Sequence, residues 1–426
     1  MIRALRICLI SPGHLTSNPR LVKEADALTG AGHQVVVISG WSFPPLIAED
    51  LRFENRPWAQ QHRVAFGALA SPACRLWQRL RQRLARVLVQ LGLRAPSVVI
   101  RAWHPAGPEL IRAACSIRAD LYIAHYPAAL PAAALAAQRH RVCYGFDAED
   151  FHPGEWPDNP AFDRQRQLLR LIEARYLPGC VFTTGASPGI AEAYADAYDI
   201  PLPVVIRNVF PLSHAPEGPT PRGSATPGPS LYWFSQTIGP DRGLECAVRA
   251  MALARSRPHL YLRGFISDAF RQQLESLARV EGVEDRLHLL PPAPPDQMEQ
   301  LAAAYDLGLV AETGTTLNRR IALTNKLFSY ALAGVPALIS DIPAHRRYAE
   351  TAGESVRLFA TGDPQSLGAT IDDLWGDDGA PLAQARRAAF RLGQECLNWE
   401  LEQARLLEAV ELALAPGAAE RAGSRP

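Results

Sequence analysis

The stretch RICLISPGHLTSNPRLVKEADALTGAGHQVVVIS, residues 6–39, decides the fold. RICLI (6–10) is an unbroken apolar run of strand length with β-branched content, so it reads as a buried strand. SPGHLTSNP follows as a polar turn. RLVKEADALTGAG (20–32) has Leu21, Ala25 and Leu28 at helical spacing and ends on Gly30 and Gly32. QVVVIS (34–39) is a second buried strand. A strand, a loop, a helix and another strand of this kind open a doubly wound parallel sheet.

The same alternation continues outward. LYIAH (121–125), RVCYGFD (141–147), CVFTTG (180–185) and PVVIRN (203–208) are further strand candidates. PLSHAPEGPTPRGSATPGPS (211–230) is too rich in Pro, Gly, Ser and Thr for a packed element, and reads as a linker or long loop. The pattern then restarts with strands at 231–235 and 259–264, a helix at 244–256, the runs RLHLLPP and DLGLVAE, and a strand at 335–341. The parse is a domain over 1–209, a linker over 210–230, a second domain over 231–398, a C-terminal helix over 399–416 and a disordered tail over 417–426.

Composition narrows the function. Apolar residues make up 48% and charged residues 20% of 426 residues, and the net charge is +1. That is a globular composition with material for more than one core, and not a nucleic-acid binder. The seven cysteines stand singly with no CxxC spacing, which reads as free thiols in a reducing, cytoplasmic setting. No apolar run is long enough to span a bilayer. Of the 44 basic Lys and Arg residues, only Lys23 and Lys326 are lysine, so the lysine in LTNKLFSYALAGVPALIS (323–340) stands out.

One segment is uneven in charge. No acidic residue occurs between Glu54 and Glu109, while nine arginines do. Within it, RLWQRLRQRLARVLVQLGLR (75–94) spaces Leu76, Trp77, Leu80, Leu84, Val87, Leu88 and Leu91 as one helical stripe, with arginines mainly on the other face. Such a helix fits an anionic inner-membrane surface, with Trp77 and Arg79, Arg83 and Arg86 as contacts. The alternative is an ordinary domain helix with a solvated basic face.

Several motifs recur together and in order: SNPRLVKEADALTGAGHQVVVI, FDAEDFHPGE, VVIRNV, IGPDRGLE, NKLFSYALAGVPALISD and NWE (398–400). Over about 6–414 the chain resembles GT-B fold glycosyltransferases, of the family-4-like group that builds bacterial surface polysaccharides. The resemblance implies two Rossmann-like α/β domains facing a cleft, with C-terminal helices crossing back to the N-terminal lobe. It implies an acceptor-binding N-terminal lobe, a C-terminal lobe for a nucleotide-diphosphate sugar, and transfer with retention and without a metal or other cofactor. The acceptor would be lipid-linked or a saccharide.

On that resemblance, Lys326 at a helix start would hold a diphosphate oxygen, since transfer leaves new negative charge there. Arg242 and Gly243 fall where relatives often carry a Lys-Gly pair. Asn325, Glu312 and Asn318 are polar groups expected at the same donor pocket. Relatives grip the ribose with the second glutamate of a Glu-x7-Glu pair. The corresponding positions here are Ile321 and Ser329, with Ser329 kept among the donor-binding candidates, and Gln236-Thr237 replaces a common Gly-Arg. Those departures keep two alternatives open: a non-catalytic partner protein in a polysaccharide assembly complex, and a sugar-nucleotide epimerase of the same fold. In the N-terminal lobe, Gly13 and His14 follow the first strand, and His125 ends another. FDAEDFHPGEW offers Asp147, Glu149, Asp150 and His152. His125, Asp147 and Glu149 are the candidates to bind or deprotonate an acceptor hydroxyl. Each alone is also explained as a loop cap or salt bridge.

Overall fold

The computed structural model describes residues 4–219, 228–376 and 379–415. The segment 220–227 of the expected linker and the whole of the expected tail, 417–426, lie outside them. The chain divides into two units, Met1–Ile206 with Gln403–Pro426, and Arg207–Glu402. Most of the last helix, Trp399–Leu414, thus belongs to the N-terminal unit.

The first unit is built on seven parallel strands in the order β3-β2-β1-β4-β5-β6-β7. They are β1 (Arg6–Ser11), β2 (Gln34–Trp41), β3 (Gln60–Ala65), β4 (Leu121–His125), β5 (Cys143–Ala148), β6 (Thr183–Gly185) and β7 (Val204–Val205). β1 and β4 are buried on both faces, because helices cover each side of a parallel sheet. The edge strand β3, QQHRVA, carries no apolar run and is half exposed, so its sequence has no strand signature.

The second unit repeats the plan with six strands, in the order β10-β9-β8-β11-β12-β13. They are β8 (Ser230–Ile238), β9 (His259–Ile266), β10 (Leu287–Leu290), β11 (Leu307–Val310), β12 (Ala337–Ser340) and β13 (Val356–Phe359). In both sheets the winding reverses beside the first strand, between β1 and β4 and between β8 and β11. Beyond the carboxyl ends of strands at such a reversal, α/β folds bind their ligands.

The helix Asn325–Ala333 is seated on β11 by a close approach. A Cβ on Gly308 would fall 2.4 Å from the Tyr330 ring, and the Tyr330 hydroxyl donates to the Tyr232 carbonyl at 2.7 Å. Gly308→Ala must push that ring away and lose the hydrogen bond. It should destabilise the second unit by about 2 kcal/mol or more, read as a lowered denaturation midpoint.

Candidate functional site

In the second unit, β8 ends in a register shift between Phe234 and Thr237 and runs into a turn closing at Gly243. Gly243 has φ +69°, and a Cβ there would sit 2.2 Å from the Ala311 carbonyl oxygen. Glycine at 243 therefore lets this turn press on the end of β11. The Asp241 carbonyl beside it accepts from Arg319 Nη1 at 3.0 Å and Thr313 Oγ1 at 3.3 Å.

A charge cluster forms there. Glu312, just past β11, is buried, and Ser340 Oγ donates to its backbone carbonyl at 2.6 Å. Lys326 Nζ lies 3.7 Å from Glu312 Oε1, and Arg319 Nη1 lies 3.6 Å from Oε2. Both are ion pairs longer than an ideal charge-assisted hydrogen bond. The Lys326 ammonium is also 5.2 Å from the Trp233 ring centroid. Burial lowers its pKa from the ordinary lysine value. Glu312 opposes that shift, while Arg242 and Arg319 reinforce it. One guanidinium and one ammonium thus share the Glu312 carboxylate, and the field of Arg242 reaches the same ammonium. Lys326 opens the helix Asn325–Ala333 beside the exposed Asn325, and Thr324 gives that helix no side-chain cap. The short helix Leu317–Ile321 carries both Asn318 and Arg319. Arg319 was not singled out in the sequence, because the RR pair in LNRR reads as ordinary surface charge.

Ser329 is corrected by its surroundings. It is fully buried, and its hydroxyl donates to Glu299 Oε1 at 2.6 Å. His214 Nδ1 lies 3.4 Å from Glu299 Oε2. The side chain at 329 is spent between two packed helices and offers nothing to a ligand. The carboxylate near this position comes from Met298–Ala302 instead.

In the first unit, three expected ligand groups are structural. His14 Nδ1 meets Asp50 Oδ2 at 2.7 Å, while its Nε2 accepts from the backbone N–H groups of Ser42 and Phe43 at 3.0 Å each. Both ring nitrogens are occupied, so His14 pins the loop after β1 rather than facing a substrate. A Cβ on the adjacent Gly13 would meet nothing within 4 Å, so that side of the loop stays open.

Asp147 is gripped by Arg20, Nε to Oδ2 at 2.6 Å and Nη2 to Oδ1 at 2.7 Å, and it accepts from Thr184 Oγ1. His125 Nε2 is 2.6 Å from Glu24 Oε2, and its Nδ1 is 3.4 Å from Asp147 Oδ2. All four residues are buried. Burial alone would raise the Asp147 pKa, but Arg20 and His125 hold it well below the carboxylate range. Burial opposes the His125 charge, yet Glu24 and Asp147 push its pKa up to about 9. Asp147 and His125, expected as acceptor-binding or basic groups, therefore neutralise neighbours in a buried quartet. Arg20 and Glu24 escaped the sequence reading because i, i+4 opposite charges on a helix ordinarily lie at the surface.

Glu149 lies near that quartet, within the fields of Arg20 and Asp147. It is half-buried, and the Tyr126 hydroxyl donates to its Oε2 at 3.1 Å. Its pKa is raised, first by burial and then by Asp150. Tyr126 directly follows β4 and holds φ +65°, an uncommon conformation for a bulky side chain and one that clusters at functional sites. Its ring packs on His152 at 5.6 Å. Glu149, Tyr126 and His152 are thus brought together beyond the ends of β4 and β5. Among the described residues, no three His, Cys, Asp or Glu side chains are grouped as metal ligands would be.

The helix Pro72–Gln90 buries Gln78, Ala85 and Val89, not the leucine stripe. Leu76, Trp77, Leu80, Leu84, Val87 and Leu91 are all exposed, Leu76 by 68% and Leu91 by 78%. Arg79, Arg83 and Arg86 are exposed as well, so the apolar stripe and the cations share the solvent side rather than opposing each other. Arg81 is spent on the fold, with Nη1 and Nη2 on the two Glu109 oxygens at 2.9 and 2.7 Å.

Two parallel α/β units, each with a ligand-facing switch point, set the comparison with solved structures. HepE of Anabaena, in complex with UDP and glucose, is 15% identical at a TM-score of 0.69, over 96% of this chain and 99% of that one. The fold is that of the GT-B glycosyltransferases. Sucrose-phosphate synthase from Thermosynechococcus elongatus is 16% identical at a TM-score of 0.72, over 96% and 99%. The lipopolysaccharide outer core galactosyltransferase WaaB, in its apo form, is 11% identical at 0.58, over 95% and 99%. No protein-family profile matches the chain, and no curated protein matches it significantly in sequence. Within this GT-B chain the His125 charge has a measurable consequence. A pKa raised on folding contributes stability below about pH 6.5 that is lost as pH rises through about 9. The melting temperature of the wild type should drop more between pH 8 and 10 than that of His125→Gln.

Proposed function

We propose that this chain is a retaining, metal-independent glycosyltransferase. It moves a sugar from a nucleotide-diphosphate sugar to a lipid-linked or saccharide acceptor in polysaccharide biosynthesis, working as a peripheral protein on the inner membrane face. The observation that carries the proposal is the surplus of fixed positive charge around Glu312. Lys326, Arg319 and Arg242 would stabilise the charge that grows on the leaving diphosphate, the task a divalent cation performs elsewhere. Glu312 opposes the lowering of the Lys326 pKa by burial, and a donor diphosphate would add a second anionic partner beside the ammonium. HepE, of the same fold, binds UDP and glucose, which supports a nucleotide sugar as the donor class.

For the acceptor, Glu149 is the group to orient or deprotonate a hydroxyl. Its carboxyl is raised toward neutrality and held by Tyr126. The exposed Leu/Trp stripe with Arg79, Arg83 and Arg86 supports the membrane part, and no helix among the described residues is long and apolar enough to cross a bilayer.

Ser329 favours a second reading, a non-catalytic partner protein, because its buried hydroxyl replaces a ribose-binding carboxylate. Calorimetry with UDP-, GDP- and dTDP-sugars separates the two, and no binding of any donor would favour the partner role. Lys326→Ala should weaken binding of the donor found by that screen roughly 10–100-fold and abolish turnover. Unchanged affinity and turnover would refute the diphosphate role. Flotation with phosphatidylglycerol vesicles tests the membrane part. Leu80→Gln with Leu84→Gln, and separately Arg79→Gln with Arg83→Gln, should each reduce vesicle binding several-fold, the second pair more at low salt.

A further inference from the structure

The first unit contains an open apolar groove that the proposed reaction does not use. One hollow of about 620 Å³ lies among the helices Pro96–Trp103, Gly107–Ser116, Leu130–His140 and Asp163–Tyr176. Ile100, Ile111, Ala134 and Leu135 line it. A second hollow of about 530 Å³, lined by Val99 and Leu171, shares Pro96, Arg175 and Tyr176 with the first. Each is of a size that takes a small-molecule ligand. Their charged lining residues are all cationic, Arg101 in the first, Arg94 in the second and Arg175 in both, and Ser97, Gln138 and Tyr144 add neutral polar groups to the first. No carboxylate lines either hollow.

The groove adjoins the exposed amphipathic helix. Gln82 and Arg86 donate to the carbonyl of Ala102, which places the helix Pro72–Gln90 against the far end of Pro96–Trp103. The exposed stripe continues past that helix through Leu91 and Leu93 to Arg94 at the rim of the second hollow. The groove is also remote from the acceptor-side cluster. Tyr144, in its wall, lies near the start of β5, and Glu149 follows the end of the same strand. Five residues of strand separate them, roughly 16 Å.

We propose that this groove binds one anionic phospholipid drawn from the bilayer, with an acyl chain in the apolar hollows and the phosphate on Arg94, Arg101 and Arg175. Such a site would hold the enzyme to the membrane by a seated lipid as well as by surface insertion. Its occupant is not the acceptor, because the groove is remote from Glu149. Apolar walls exclude a free anion as the preferred ligand, and the guanidiniums select an anionic over a zwitterionic head group. The proposal rests on the membrane part of the proposed function, so its test avoids bilayers.

The probe is dihexanoyl-phosphatidylglycerol below its micelle concentration, titrated into the full chain by calorimetry. The expected result is saturable one-to-one binding, with dihexanoyl-phosphatidylcholine and inorganic phosphate each at least about tenfold weaker. The triple change Arg94→Gln, Arg101→Gln, Arg175→Gln should weaken the phosphatidylglycerol probe about tenfold or more. Leu135→Trp, which fills the groove, should do the same. Leu80→Gln with Leu84→Gln should leave this binding unchanged while reducing vesicle flotation. Absence of saturable binding, binding that survives the arginine changes, or phosphate binding as tightly as the lipid would each overturn the proposal. Should Leu135→Trp fail to fold, the surface arginine variant decides alone. Lipid binding with no vesicle flotation would sink the membrane part of the proposed function and leave the groove standing.

Discussion

Like charges gathered around a buried group must be compensated, and in the second unit one buried carboxylate faces a buried ammonium and partly exposed guanidiniums. Glu312 is the pivot. It draws Lys326 and Arg319 to within 4 Å of one carboxyl group while the field of Arg242 reaches the same ammonium. One carboxylate lowers the cost of burying the cations but does not cancel it. The remaining positive charge lies beyond β11, where the sheet's winding reverses, and is the feature on which the proposed donor site rests. The geometry around it serves that site. Gly243 lets the turn come down on Ala311, Gly308 lets Tyr330 seat the helix that begins at Asn325, and Thr324 leaves the end of that helix without a side-chain cap.

The first unit shows the contrary arrangement. Arg20, His125, Glu24 and Asp147 also concentrate four ionisable groups beyond strand ends, but there the charges balance and every partner is close. A balanced, fully bonded network rigidifies a loop and has no capacity left for a substrate. Glu149, two residues along the chain from Asp147, feels the fields of Arg20 and Asp147 yet keeps a raised pKa. The difference between structural and functional charge in this protein is therefore the residual after pairing, not the identity of the residues.

The helix Pro72–Gln90 carries the same logic to the surface. Its small buried face, Gln78, Ala85 and Val89, is enough to fix it to the unit, and Arg81 completes the attachment through Glu109. Its large apolar residues are left in solvent, and an exposed apolar stripe of this extent marks an interaction surface. Arginines flanking the stripe match an anionic interface rather than another apolar protein surface.

The doubly wound sheets were legible in the sequence because buried parallel strands are continuous apolar runs separated by turn and helix signals, as in 6–39 and 121–125. β3 and β13 were not, since short edge strands with one wet face carry no such run. Lys326 stood out in an arginine-rich chain, and the exposed stripe of 75–94 was visible as a period, though not the face it would present. Pairing is what the linear chain could not reveal. That Asp147 belongs to Arg20, His14 to Asp50 and Ser329 to Glu299 depends on contacts across 127, 36 and 30 residues. A side chain's chemistry is written in its type, but whether that chemistry is free for a ligand is set by what the fold brings within 3 Å of it.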